Sequence, residues 1–165
     1  MTPIEGLYLN FAVICEKVLR EADDVLSFIR IVDQVNMTIV TPPGVDVPPE
    51  LPQTSSVPLT FAVGLKSAGY SGPVVVKLRV EEPAGLKLPE FQTVQQIAQA
   101  DRGVNLIFPM QLPVQDEGVY WFVVEVSGDV LTRVPLRIGR QVVHQPAPPR
   151  VHSGGCRVTA VCDTP

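Results

Sequence analysis

The sequence predicts an all-β protein, an antiparallel two-sheet β-sandwich of about seven or eight strands, as a Greek-key sandwich uses. Three observations carry that expectation. Apolar and polar residues alternate over several stretches, turn signals recur between them, and the composition suits strands. Hydrophobic residues make up 45% of the 165 residues, charged residues only 18%, and 17 are proline. Helical bundles draw on Ala, Glu, Lys and Leu, whereas a low-charge chain rich in Val and Pro fits strands and turns.

The first third reads in two ways. Phe11, Ile14, Cys15, Val18, Leu19, Ala22, Val25, Leu26 and Ile29 recur at helical spacing. Against a helix stand the β-formers Val13-Ile14, Phe28-Ile29 and Ile31-Val32, with the polar turn Glu21-Ala22-Asp23-Asp24 midway. The expectation is two strands, 7–20 and 25–40. Residues 41–58 contain Pro42-Pro43-Gly44 and Pro48-Pro49-Glu50-Leu51-Pro52. That composition favours an extended loop and cannot pair as a central strand.

Alternation is clearest next. Leu59, Phe61, Val63 and Leu65 alternate with Thr60, Ala62, Gly64 and Lys66. Successive strand side chains point to opposite faces, so this strand buries one of them. A turn cluster at residues 67–73 leads to a second strand, with Val74, Val76, Leu78 and Val80 on one face. Residues 86–103 suggest a short strand at 90–94 and a turn or short helix at 94–100. Leu106, Phe108, Met110 and Leu112 alternate again, but Pro109 and Pro113 cannot donate to a ladder, so this strand is an edge or bulged.

Residues 118–126 form a strong strand. Ser127-Gly128-Asp129 then makes a tight hairpin, in which Gly-Asp supplies positive φ. Residues 130–138 return with Val130, Val134, Leu136 and Ile138 inward. After Gly139 the chain turns Pro- and Gly-rich. The domain is therefore expected to span residues 1–139, with residues 140–165 as a linker-like tail.

The segment Asp116-Glu117-Gly118-Val119-Tyr120-Trp121-Phe122 resembles the lead into strand F of immunoglobulin-like domains. There a Tyr hydroxyl bonds back to the backbone a few residues upstream. The resemblance implies a structural Tyr120, mostly buried, with its hydroxyl bonded near residues 114–116. Phe122 stands where antibody domains carry the second Cys, so the likeness is to a sandwich corner and not to an antibody domain. Over residues 7–139 the chain also resembles a bacterial family of uncharacterised single-domain β-sandwich proteins. Residues 11–19, 26–33 and 116–138 carry that likeness. It implies paired strands in the first third and brings no activity and no functional residues.

Several functions are disfavoured on chemical grounds. The formal net charge is -4, with 13 basic residues against 17 acidic ones, so the basic footprint of a nucleic-acid binder is missing. No apolar run approaches the roughly 20 residues that span a bilayer. The N-terminal residues carry no signal-peptide pattern, and three scattered cysteines suit a reducing cytosol. The expectation is a cytoplasmic protein. The sequence holds no phosphate loop, nucleophile elbow or His-Glu-x-x-His motif, so no cofactor is expected.

Three weak sites remain. His144, His152, Cys156 and Cys162 match zinc in number, but only His152 and Cys156 have ligand spacing. Cys15 lacks a neighbouring base and reads as a structural thiol. Asp23, Asp24, Asp116 and Glu117 lie at turns where a sandwich can hold calcium, without the spaced run of ligands that fixes an ion.

The strand at 118–126 is apolar on both faces, with Val119, Trp121 and Val123 opposite Tyr120, Phe122 and Val124. A sandwich strand is ordinarily wet outside. Either the chain itself covers this stripe or a partner does. The expected function is accordingly a non-catalytic protein-interaction or assembly module of a bacterial or phage-derived protein, with a protein partner or a second copy. The alternative is a calcium- or zinc-dependent module, or a hydrolase using loop carboxylates.

Overall fold

The computed structural model describes residues 5–42, 55–85, 88–99 and 101–144. These form nine strands: β1 (Leu7–Arg20), β2 (Leu26–Ile31), β3 (Gln34–Thr41), β4 (Ser56–Ser67), β5 (Gly72–Glu81), β6 (Phe91–Ile97), β7 (Gly103–Pro113), β8 (Gly118–Val126) and β9 (Asp129–His144). They build two sheets, ordered β2-β1-β4-β7 and β3-β9-β8-β5-β6. Set β2 and β3 aside and the remainder is β1-β4-β7 over β9-β8-β5-β6. That is the immunoglobulin arrangement A-B-E over G-F-C-C′.

Alternation explains the core. Leu59, Phe61, Val63 and Leu65 of β4 face Val74, Val76, Leu78 and Val80 of β5, with Tyr120, Phe122 and Val124 of β8 beside them, and all are buried. Phe61 and Phe122 stack across the two layers, with ring centroids 5.4 Å apart and planes at 17°. Strands β4 and β8 correspond to B and F, which antibody domains join by a disulfide. Here a pair of rings makes that inter-sheet contact by burial alone.

The structure corrects the sequence reading in several places. Among the described residues there are nine strands, where about seven or eight were expected. Residues 25–40 are two strands in different sheets. The change of sheet falls at Val32 and Asp33: the Val32 N–H donates to Ile14 O at 2.8 Å, while the Arg137 N–H donates to Asp33 O at 2.9 Å. The sandwich is not wholly antiparallel, because β3 runs parallel to β9, from Gln34↔Arg137 to Thr41↔His144. Strand β9 therefore continues past Gly139, which the sequence marked as the end of the domain. Residues 94–97 continue β6 and form neither turn nor helix. In the β8–β9 hairpin the positive φ values fall on Ser127 (50°) and Gly128 (97°), not on Asp129. A register shift between Val124 and Glu125 precedes this turn, and Val130 is exposed, not inward.

Strand β1 serves two neighbours. Its first part pairs with β4 and its last with β2, and Cys15 belongs to both pairings. Phe28, whose partner is Val18, nonetheless meets the Phe11 ring edge-on at 5.1 Å. Phe11 lies well up β1 from Val18, so the β1–β2 ribbon must bend for the rings to touch. Arg30, with φ of 50°, marks the irregularity in β2. Phe11 packs over Gly64 so closely that a Cβ there would clash with the ring.

Candidate functional site

The outer face of β8 is built by cross-strand register. Val123 lies between Arg79 of β5 and Arg133 of β9, while Trp121 lies between Glu81 and Pro135. Glu81 bridges the flanking strands, 3.4 Å from Arg79 and 3.6 Å from Arg133, and Glu125 holds Arg79 at 3.1 Å. The aliphatic stems of the two arginines thus lie over β8 while their heads are paired. Val123 is buried beneath them, which removes it from the predicted interaction stripe. Val119 is half-buried. Trp121 keeps 39% of its surface in solvent, and it sits on a central strand fixed by two neighbours.

One end of the same strand forms the corner. Tyr120 is fully buried, and its hydroxyl donates to Asp116 O at 3.0 Å. Burial pushes the phenol up, an effect that its bond to Asp116 opposes. Tyr120→Phe is expected to cost about 1 kcal/mol or somewhat more, since it leaves that carbonyl without its partner. An unchanged urea midpoint would contradict this role. Glu117 binds Arg140 at 2.7 Å, so this acid ties the corner to β9.

Glu82 is the residue that sequence reasoning missed. It directly follows β5 and opens a turn in which its carbonyl accepts from the Gly85 N–H at 2.8 Å. It is 5% exposed, and its Oε1 is buried without a hydrogen-bond partner. Desolvation, and then the nearby Asp116 charge, raises its carboxyl above the ordinary value of 4.5. The only sequence signal was an acid directly after a strand with a buried face. The cleft at this end of the sandwich, about 260 Å³, is lined by Val80, Leu88, Phe91, Met110, Leu112 and neighbouring residues, none of them titratable. Among the described residues, this cleft brings no second acid to Glu82.

The remaining candidates are dispersed. Asp23 accepts a hydrogen bond from the Val25 N–H at 3.3 Å, and Asp24 pairs with Arg20 at 3.5 Å. Both are exposed turn acids. Cys15 is buried, its thiol directed at Thr60 O at 3.6 Å and pushed up by desolvation. His144 closes β9 with its Nδ1 3.1 Å from the Thr41 hydroxyl. His152, Cys156 and Cys162 lie outside the described residues. Among the described residues no three His, Cys, Asp or Glu side chains gather to hold a metal, and no helix is long and apolar enough to cross a membrane.

No family model matches the chain, and no curated protein matches it. Among solved structures, it is similar to an immunoglobulin-like protein from Pseudomonas aeruginosa, at 13% identity and a TM-score of 0.39, covering 80% of this chain and 95% of that one. It is also similar to an alkylpurine DNA glycosylase from Pseudomonas fluorescens bound to DNA containing an abasic site analog. That likeness has 14% identity and a TM-score of 0.39, and covers 55% of this chain but only 28% of the glycosylase. A TM-score of 0.39 is too low for either protein's activity to transfer.

Proposed function

We propose that this chain is a non-catalytic protein-interaction module whose contact surface centres on Trp121. The observation that carries the reading is a large aromatic side chain, 39% exposed, held on a central strand with paired arginines beside it. Trp and Arg are the residues most enriched where truncation costs an interface most, and a rigid position lowers the entropy lost on binding. The Arg133–Glu81–Arg79–Glu125 network supplies a polar border that a partner can meet without burying an unpaired charge.

The finer reading is a cytoplasmic component of a bacterial or phage-derived assembly. The resemblance of residues 7–139 to bacterial single-domain sandwiches supports its bacterial part, and the three scattered cysteines support its cytoplasmic part. The test is capture by wild type and by Trp121→Ser side by side, with melting curves confirming that the variant is folded. A protein partner held by wild type and lost at least tenfold with the variant is the expected result. Identical captured sets would overturn the Trp121 surface.

A further inference from the structure

We infer that β6 is a self-pairing edge, through which two copies of this chain join antiparallel across a two-fold axis. This takes from the proposed function only its class, interaction with protein; the surface is separate from Trp121.

Among the described residues each sheet has two outer strands: β2 and β7 in one, β3 and β6 in the other. An open edge presents unpaired N–H and C=O groups, and natural sheets guard such edges with proline, charge or irregular backbone. Strand β7 carries Pro109 and Pro113. Strand β2 carries a charge and an irregular backbone at Arg30, whose φ is 50° and whose guanidinium pairs with Glu16 at 2.9 Å. Strand β6, Phe-Gln-Thr-Val-Gln-Gln-Ile, has no charge, no proline and no bulge in its pairing with β5. Its Val94 is 63% exposed and Phe91 43%.

The pattern of β6 is also its own complement. Residues directly opposite in an antiparallel pair share a face. A two-fold axis through Val94 sets Val94 against Val94 of the second copy, Phe91 against Ile97, Gln92 against Gln96 and Thr93 against Gln95. Every apolar residue then meets an apolar one, and every polar residue a polar one. The face is preserved too, since Phe91 and Ile97 both lie on the side of Leu78 and Gly72, while Val94 lies with Val75. Glutamines opposite one another can exchange amide hydrogen bonds.

The other edge without charge or proline, β3, fails the same test. An axis through Met37 sets Gln34 against Val40, and one through Thr38 sets Asn36 against Val40. Strand β7 also matches like with like about Phe108, but Pro109 and Pro113 leave it without two ladder donors. Of the two edges that carry neither charge nor proline, only β6 matches, as an isologous contact requires. The contact is a single short strand, smaller than a standard stable interface, so the dimer is in concentration-dependent exchange with monomer.

Sedimentation velocity over a concentration series up to about 1 mM resolves an association this weak. Wild type is expected to dimerise with rising concentration. Val94→Lys, which sets two ammonium groups face to face at an exposed position, weakens dimerisation at least tenfold. Mixing Val94→Lys with Val94→Glu restores a dimer, because only a two-fold pairing places residue 94 against itself. A wild type that stays monomeric throughout, a Val94→Lys variant that dimerises like wild type, or a mixture that remains monomeric overturns the inference. None of these outcomes bears on partner capture through Trp121, so the two readings fail separately.

Discussion

Replacing Phe122 with alanine is expected to lower the unfolding free energy by about 3–5 kcal/mol, the range for a fully buried aromatic cut back to a methyl. Two terms add. The ring loses its transfer free energy, and the surrounding strands relax only in part around the hole. Phe122 has no exposure at all, and its stacking partner Phe61 belongs to the opposite sheet. The hole therefore opens between layers, where collapse would have to move a whole sheet. Urea unfolding should show a lower midpoint with an unchanged slope. Phe61→Ala should cost a similar amount, and the double variant less than the sum, because the second substitution removes contacts already lost. Strict additivity would show that the rings act independently. A loss below about 1 kcal/mol for Phe122→Ala would show that the site is not the joint between the sheets.

Glu82→Gln is expected to stabilise the protein at neutral pH. The native carboxyl is raised above 4.5 by desolvation and by Asp116, so the folded state binds this proton more tightly than the unfolded chain does. Stability from this group is greatest below 4.5. It falls as pH rises towards the raised native pKa, and the full cost remains above it. Each unit of displacement corresponds to about 1.4 kcal/mol. The glutamine cannot ionise, so the stability gap between variant and wild type should widen as pH rises from 4.5 towards neutrality, then level off. A gap independent of pH would mean that Glu82 holds no raised carboxyl.

These two residues show what the sequence could and could not reveal. Phe122 was legible because the likeness at residues 116–122 makes Tyr120 an inward residue, and Phe122, two residues on, shares its face. Alternation also placed β4, β5 and β7, including the edge position that Pro109 and Pro113 imply, but β4 buries both faces from Leu59 to Leu65 and not the one that alternation predicted. Strand β3 was hidden. The chain crosses between sheets at Val32 and Asp33 without glycine or proline, and the positive φ of Arg30 has no signature in an arginine. Strand β6 was half seen because Gln92, Gln95 and Gln96 are good helix formers that tertiary pairing overrides. The fate of Val123 was not a local property. Its cover comes from Arg79 and Arg133, residues brought alongside only by register. Glu82 was missed for the same reason, since its burial depends on where the turn after β5 comes to rest.

The parallel pairing of β3 with β9 also bears on how the chain reaches this structure. Thr41 and His144 meet although they lie 103 residues apart. Every other strand has been synthesised before the last partner of β3 exists. Closing so long a loop costs entropy before any contact repays it. On a ribosome, β3 must therefore wait with both edges unpaired, and it joins its sheet only when β9 has emerged.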